Sequence, residues 1–511
     1  MHKIFAAFLF LSYISISNSA NILAIYTLAS PSIRLWNTPL LTALATRGHN
    51  VTVISPEAQK NRVANLTDLP VDGLYEAIGG DMDFDVLHEA TMFFWIKEMF
   101  AFFRKGCLFT LKSDSFKRLM EYPTDFKFDL VLMEPIGVEC MFGILPRFGN
   151  PPIVTVASFP APQWVLESTG TPSNPSYVPY SFSPYDDDMK FMERVYNFIA
   201  YIYTQYLYKY DYLPKMDREA RNVFGPEIAS VESTAQNVSF ALTNHHPTLD
   251  TPFASAPNLI PIAAIQVKDP KPLPTDLQKF LDDATEGAIY MSFGTNVRSD
   301  KLSLAKRKAI LEAFAELPQR VLWKFESDLP DAPKNVKISK WLPQNDVLAH
   351  PNLKVFITHA GLHSTHETII RGVPIVGVPF VIDQHMNIRK MQKLGRGLLL
   401  EYKDLTKDTL LHTLREIIGN PSYRENIMKL SARFQDNPTS PLESAVFWTE
   451  YALRHKGAQH LQSAARNLNF IQYFLLDVIA FLLAVPISFV LAIYILCCRR
   501  KSTQKGKDKL N

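Results

Sequence analysis

Cysteine is scarce in this chain, and neither sign of charge is in clear excess. The 511 residues include 4 cysteines, too few for a scaffold held together by disulfides. The formal net charge is only +3, which gives no reason to expect a nucleic-acid partner. What the chain does have is apolar residues, 47% of the total, enough for two or three globular domains.

A metal-ligand cluster is also missing from the sequence. Histidines are dense at His245 and His246 and again at His359, His363 and His366. His363 and His366, three residues apart, share a helix face, but the spacing offers no third ligand for zinc. We therefore expect no metal site.

Both ends of the chain indicate a membrane protein with a lumenal body. Residues 1–20 combine a basic start, a short apolar run and small residues, which is typical of a signal peptide cleaved near Ala20. Residues 478–498 are long enough to span a bilayer, and Pro486 is tolerable there. The basic tail, residues 499–511, is cytoplasmic by the positive-inside rule, so the lipid bilayer is an expected partner.

The tail also contains a pattern that resembles a localisation signal. Lys507 and Lys509 lie five and three places from the C-terminus, which resembles a dilysine retrieval signal of the endoplasmic reticulum. An ordinary basic flank of the membrane span is the alternative. The expected location is the endoplasmic reticulum membrane, as a single-pass type I protein.

A lumenal location would allow disulfide formation and N-glycosylation. Cys107 and Cys140 either pair or are simply buried. Asn65 and Asn237 lie in glycosylation sequons and are the better acceptors. Asn50 also lies in a sequon, but it begins an apolar run, so we expect it to be buried and unmodified.

The pattern of apolar runs predicts an α/β protein. A helical stretch at residues 37–46 lies between the first two runs and completes a βαβ unit, and the alternation continues as expected for a parallel sheet covered on both faces. Short runs predict buried strands at residues 22–26, 51–54, 128–133, 153–157, 288–293, 321–325 and 336–338.

Proline-rich segments divide this pattern. The prolines between residues 257 and 274 mark a domain boundary, and we place a linker at residues 261–284. Residues 160–184 are predicted to be a long loop. The aromatic-rich segment 191–212 is predicted to be a helix packed on the core or on a membrane surface.

Residues 341–384 carry the strongest chemical signal. Apolar runs at 355–358 and 374–378 read as buried strands, and each is followed by polar residues. Ligands of open α/β sheets bind at the carboxyl ends of strands. Gly361 would let the backbone approach a ligand closely, and the amides of the following helix favour a pyrophosphate. An acidic residue there accepts ribose hydroxyls and a flat Trp stacks on a base, so the stretch predicts a sugar-nucleotide site.

The same stretch, read as WLPQ, FITHAGLHSTHE and GVPIVGVPFVIDQ, resembles the signature of the UDP-glycosyltransferases, the UDP-glucuronosyltransferase family. One departure is Ala360, which stands where a glycine is usual. The resemblance also matches residues 292–295 to a second donor loop. The UDP-sugar-binding residues that the resemblance implies are Ser292, Gly294, Thr295, Trp341, Gln344, His359, Gly361, Ser364, Glu367, Asp383 and Gln384.

The resemblance implies an architecture as well. It is the α/β GT-B type, with two Rossmann-like domains facing a cleft, here followed by one C-terminal transmembrane helix. Residues 21–260 would be the acceptor-binding domain, and residues 285–477 the UDP-sugar-binding domain with its return helices. Self-association, or association with related enzymes, stays open. No cofactor is implied, because the UDP-sugar is a co-substrate.

The chain departs from the family at the position of the catalytic base. Family members use a His that lies sixteen residues before the His of the Arg-Gly-His turn, oriented by a carboxylate. Here that position is Ile33, which cannot accept a proton, and its neighbour Arg34 stays protonated. The orienting acid aligns with Glu134. Three consequences are open. Glu134 or a water serves as the base, or the enzyme prefers acceptors that need no strong base, such as amines and acidic phenols. In the third, the protein is catalytically weak and binds UDP-sugar in another role.

The expected function is transfer of a hexose or glucuronic acid from a UDP-sugar to small lipophilic acceptors, with inversion. An insect-like sequence style, SPS-x-x-x-W at residues 30–36 and RHKGA-x-HL at residues 454–461, favours UDP-glucose. The alternative is a non-catalytic UDP-sugar-binding or partner subunit of active relatives.

Overall fold

The computed structural model describes residues 19–78 and 90–507, with side chains through residue 496. The predicted signal peptide lies almost wholly outside the described residues, as does Lys509. Residues up to Gln462 form one compact unit and residues from Ser463 a second. The predicted N-terminal domain, residues 21–260, lies in the first unit, and the predicted C-terminal domain, residues 285–477, lies there only up to Gln462.

The N-terminal half is built on a sheet of seven parallel strands in the order β3-β2-β1-β4-β5-β6-β7. Helices cover both faces, so β4, β5 and β6 are buried along their whole length. The strands are β1 (Asn21–Ile25), β2 (Asn50–Ser55), β3 (Leu66–Pro70), β4 (Leu130–Met133), β5 (Ile153–Ala157), β6 (Val238–Thr243) and β7 (Leu259–Pro261).

The C-terminal half repeats the plan with six parallel strands in the order β10-β9-β8-β11-β12-β13. In both sheets the strand order reverses beside the first strand of the half, which creates the crevice where nucleotide folds bind ligands. The strands are β8 (Ala288–Ser292), β9 (Arg320–Lys324), β10 (Val336–Ser339), β11 (Leu353–Thr358), β12 (Ile375–Gly377) and β13 (Gly397–Leu399).

Helices connect the strands in both halves. In the N-terminal half they are α1 (Pro31–Thr46), α2 (Leu74–Ile78), α3 (Met92–Lys112), α4 (Asp114–Met120), α5 (Gln163–Thr169), α6 (Phe191–Tyr206), α7 (Leu213–Phe224) and α8 (Val231–Gln236). A π-helical turn (Leu207–Tyr212) joins α6 to α7, and a 3-10 helix (Glu139–Phe148) follows β4.

The remaining helices run from the boundary to the C-terminus. They are α9 (Thr275–Asp282), α10 (Leu304–Ala315), α11 (Gln344–Leu348), α12 (Leu362–Arg371), α13 (Gln384–Lys393), α14 (Lys407–Gly419), α15 (Ser422–Gln435), α16 (Pro441–Arg454), α17 (Phe470–Tyr473) and α18 (Leu476–Lys507). Short 3-10 helices lie at Ser299–Lys301, Tyr402–Asp404, Gln459–Leu461 and Ala464–Asn467.

The main differences from the predicted elements are additions. Helix α1 begins at Pro31 rather than near residue 37, because Ser30 is in the extended conformation of an N-cap and Pro31 suits the first turn. The predicted long loop 160–184 contains α5, and the predicted linker contains α9. The aromatic segment is a helix, as predicted.

Helix α16 returns from the second half to the first. Its buried residues Ala445, Val446 and Ala452 join the core formed by β1 and α1. Glu450 on α16 accepts hydrogen bonds from the Arg47 guanidinium. The return helix therefore ties the two halves together through the N-terminal core.

In the second unit, one described helix is long and apolar enough, over Leu476–Leu496, to cross a membrane. The predicted range, residues 478–498, overlaps it.

The structure shows the state of the two candidate disulfide cysteines and of the sequon asparagines. Cys107 and Cys140 form a disulfide, with 6.2 Å between their Cα atoms. Asn65 and Asn237 are exposed, as a glycosylation acceptor requires. The prediction that Asn50 is buried is wrong: it is exposed, because it is the first residue of β2 and lies at the amino end of that strand.

Candidate active site

His359, directly after β11, lies between two glycines at the carboxyl edge of the second sheet. A Cβ added to Gly361 would lie 2.4 Å from the His359 Nε2 atom, and one added to Gly294 would lie 2.8 Å from Cε1. Gly294 also has a φ of 82°, which favours glycine. Burial lowers the pKa of His359 to about 4, so the imidazole is neutral at pH 7. The two glycines therefore make room for a neutral imidazole at the predicted donor site.

The loop after β8 carries the second predicted donor segment. The Lys324 ammonium group, buried beside it, donates to the Gly294 carbonyl at 2.8 Å and pairs with Glu326 at 2.7 Å. Ser292 Oγ accepts the Gly294 amide at 3.3 Å. Thr295 Oγ1 is enclosed and has no hydrogen-bond partner among the described residues. Lys324 and Ser292 therefore hold the loop in place, and the Thr295 hydroxyl can still donate a hydrogen bond to an anion.

Gln344, Ser364 and Glu367 form one hydrogen-bonded group. The Gln344 amide nitrogen donates to Ser364 Oγ at 3.0 Å and to Glu367 Oε2 at 2.6 Å. Tyr290 donates its hydroxyl to Gln344 Oε1 at 3.2 Å and so fixes the orientation of that amide. Burial raises the pKa of Glu367 to about 7, and the Gln344 hydrogen bond opposes this shift.

This group lies at the start of α12, whose first-turn amides have no partner within the helix. Such a helix start attracts a diphosphate, and the Glu367 carboxyl one turn further on is positioned to accept hydroxyls. The three predicted residues therefore come together as one site.

Asp383 and Gln384 lie beyond β12, at the start of α13. Gln384 Oε1 accepts the amides of Phe380 and Val381 at 2.7 and 3.1 Å. Its amide nitrogen is therefore the end turned away from the backbone. Asn387 donates to Asp383 Oδ2 at 2.8 Å, and burial raises the pKa of Asp383. The pair presents one donor and one acceptor, which suits sugar hydroxyls.

Trp341 is a large exposed ring, with 55% of its surface accessible. The Lys60 ammonium group lies 5.5 Å from its centroid. The ring is flat and exposed, and stacking of Trp341 on a base stays a prediction.

Glu134 lies at the end of β4 and is fully buried. Asn37 on α1 donates one amide nitrogen both to Glu134 Oε1, at 3.0 Å, and to the Ile33 carbonyl, at 3.1 Å. The second carboxyl oxygen of Glu134 has no partner among the described residues. Burial raises the pKa of Glu134 to about 8. Glu134 therefore lies beside the predicted base position, but it keeps its proton at neutral pH.

Ile33 is half-buried against the N-terminal core. Arg34 is buried on the same helix and pairs with Asp68 at 2.9 Å. The absence of a base from this turn of α1 stays a prediction from the sequence.

The two halves meet at these loops. Asn296, in the loop after β8, donates to Ser30 Oγ at 3.1 Å. Lys390 on α13 pairs with Asp250 at 2.8 Å, with both side chains nearly buried. His363 on α12 donates to the Ser158 carbonyl after β5 at 3.0 Å. The predicted donor residues therefore face the start of α1 and the ends of β4 and β5.

Sequence reasoning missed several residues that support the site. They are Asn37, Ser158, Asn296, Lys324 and Asn387. Except for Asn387, which contacts Asp383 four residues away, their partners are distant in sequence, so no local pattern marks them. Among the residues that the structure describes, no group of His, Cys, Asp or Glu is arranged to hold a metal ion.

Comparison with known proteins agrees with this geometry. The family model described as "UDP-glucoronosyl and UDP-glucosyl transferase" matches residues 32–509. UDP-glucosyltransferase 2 of Dactylopius coccus is 38% identical over 494 residues, covering 96% of this chain and 95% of that protein. Human UDP-glucuronosyltransferase 2B15 is 33% identical over 493 residues, covering 92% of each chain.

Solved structures give the same fold. Glycosyltransferase VinC in complex with DTDP has a TM-score of 0.58 at 17% identity, covering 85% of this chain and all of that chain. UDP-glucose: anthocyanidin 3-O-glucosyltransferase in complex with UDP has a TM-score of 0.53 at 17% identity, covering 85% of this chain and 99% of that chain. With its two parallel sheets and its UDP-sugar signature, this chain belongs to the UDP-glucuronosyl and UDP-glucosyl transferase family.

Proposed function

We propose that this glycosyltransferase moves an uncharged hexose from a UDP-sugar, with UDP-glucose as the preferred donor, to small lipophilic acceptors. The observation that carries the proposal is the group formed by Gln344, Ser364 and Glu367 at the start of α12. It combines a diphosphate-binding helix start with an acceptor for ribose hydroxyls.

The preference for an uncharged sugar follows from the charges around the site. Asp383, the carboxyl group assigned to the sugar hydroxyls, is a poor neighbour for the carboxylate of glucuronic acid. Two nearby cations are already engaged, Lys324 with Glu326 and Lys390 with Asp250. A glucose 6-hydroxyl needs no cation. The name of the Dactylopius relative, UDP-glucosyltransferase 2, points the same way.

The lipophilic acceptor follows from the surroundings of Glu134. The residues packed around its carboxyl are mainly apolar and include Met133, Phe142, Trp164 and Val165. Burial against apolar side chains stabilises a bound apolar acceptor more than a polar one. Kinetics with UDP-glucose and UDP-glucuronate, each paired with a phenol and a primary amine, test the donor and the acceptor class together. Faster turnover with UDP-glucuronate would overturn the donor assignment.

The membrane proposal rests on the apolar helix Leu476–Leu496 and on the basic tail after it. We infer a single-pass type I protein of the endoplasmic reticulum. Protease added to intact microsomes should remove only the tail, and digestion of the body would contradict this orientation. Replacing Lys507 and Lys509 together should release the protein from the endoplasmic reticulum if they form a retrieval signal.

A second candidate function is supported by Ile33. Without a base on α1, the protein could bind UDP-sugar as a partner subunit of active relatives. Bound UDP with no turnover of any acceptor would support that candidate, and product formation would exclude it.

A further inference from the structure

His363 belongs to the donor half but lies against the acceptor half. It is in the first turn of α12, between the predicted donor residues Gly361 and Ser364. Its ring is parallel to that of Trp36, with an interplanar angle of 3° and 6.4 Å between centroids. Trp36 is on α1, one turn beyond Ile33. An imidazole therefore lies beside the helix that lacks the expected histidine.

The hydrogen bond of His363 fixes its tautomer. The Nε2 atom lies 3.0 Å from the Ser158 carbonyl, and a carbonyl can only accept. Nε2 therefore carries the proton, and Nδ1 carries the free lone pair. Nδ1 makes no hydrogen bond to a described residue, and this atom is not fully enclosed by the protein. The Ser158 carbonyl orients the ring as a carboxylate does in a catalytic triad.

The other candidate bases near α1 are poorer. Ile33 has no lone pair, and Glu134 is protonated at neutral pH, because burial raises its pKa to about 8. His363 is unprotonated, because burial lowers its pKa to about 4, a shift that the Ser158 hydrogen bond opposes. The low pKa makes it a weak base but keeps its lone pair free at every physiological pH.

We propose that His363 is the general base of the transfer, an imidazole supplied by the donor half in place of the one missing at Ile33. The inference rests on the proposed function. As the acceptor oxygen forms its bond to the anomeric carbon, its proton passes to Nδ1. The bond from that carbon to the diphosphate breaks, and its electron pair leaves with UDP. The imidazolium then returns the proton to solvent.

The test compares His363→Ala and His363→Gln with the wild type, using UDP-glucose with a phenol and with a primary amine. General-base catalysis contributes typically about 10²–10⁴-fold. Because this imidazole is a weak base, we expect kcat on the phenol to fall about 100-fold. The amine rate should fall much less, because a neutral amine attacks with its own lone pair. UDP affinity by calorimetry should stay unchanged.

His366→Leu is the matched control. His366 is on the same helix, fully buried, with both ring nitrogens unpaired among the described residues. Losing that imidazole should leave kcat and the phenol-to-amine ratio as they are. Added imidazole, or Ile33→His in the same chain, should raise the phenol rate of His363→Ala.

Three results would overturn the inference while leaving the proposed function intact. They are an unchanged phenol rate in His363→Ala, an equal loss on phenol and amine, and a loss that follows weaker UDP binding, which would make His363 a diphosphate ligand. Absence of transfer by the wild type with every donor and acceptor, despite bound UDP, would overturn the proposed function itself.

Discussion

At the scale of single residues, Glu367 gives the clearest prediction of donor binding. Glu367→Ala removes the partner of Gln344 and the expected acceptor of ribose hydroxyls. Losing a hydrogen bond to a charged group costs about 1.5–3 kcal/mol, so the Kd for UDP should rise roughly tenfold or more. Calorimetry measures it, with Glu312→Ala on the exposed side of α10 as control. An unchanged Kd would remove Glu367 from the site.

Glu134 makes stability depend on pH. Its pKa is raised by burial from 4.5 to about 8, so between these values the folded protein holds a proton that the unfolded chain has lost. Stability therefore falls as pH rises through this window and is unaffected below it. Glu134→Gln removes this slope. Denaturant titrations at pH 5 and pH 8 give the free energies of unfolding. The wild type should lose stability relative to Glu134→Gln between pH 5 and pH 8. An equal change in both proteins would place the pKa of Glu134 near its ordinary value.

Several site residues were predictable from the sequence, because their chemistry is local. His359, Gly361, Ser364 and Glu367 follow a buried strand within nine residues, and the structure brings the last two together with Gln344. Ala360 shows why a glycine is usual at its position, since its φ is 61°. The role inferred for His363 was not predictable, because its partners Ser158 and Trp36 come from distant segments.

At the scale of elements, the βαβ unit β1-α1-β2 was predicted correctly because its apolar runs are strong. Strands β3, β6, β7 and β13 were missed. The apolar run of β6 was overlooked although all six of its residues are buried, and β13 is only three residues long. β3 is mostly half-exposed, and β7 is only three residues long. Such short strands are set by pairing with their neighbours rather than by their own sequence.

Helix α1 is held at its start by the contact between Asn37 and Glu134. Asn37→Ala would leave the buried carboxyl without its donor, at a cost of about 1–3 kcal/mol. Chemical denaturation should show that loss, whereas Thr38→Ala, whose hydroxyl bonds only within the helix, should change stability by roughly 0.5 kcal/mol or less. Equal effects of the two substitutions would mean that the contact contributes nothing.

At the scale of the whole molecule, the ion pair between Lys390 and Asp250 links the two halves. Both partners are nearly buried, and the Lys390 ammonium group holds the pKa of Asp250 below its usual range despite burial. Lys390→Met leaves a buried carboxylate unpaired, which costs about 3–5 kcal/mol. The double variant with Asp250→Leu should recover most of that loss. A stable single variant would show that the link is dispensable.

The whole account depends on sugar transfer by a chain with Ile33 at the usual base position. The most direct measurement is product formation by the whole chain with UDP-glucose and a lipophilic phenol, followed by mass spectrometry. We predict the glucoside of the phenol and an equal amount of UDP, at a rate well above that of Glu367→Ala. Bound UDP without any glycoside, from either UDP-glucose or UDP-glucuronate and with phenol or amine acceptors, would contradict the account.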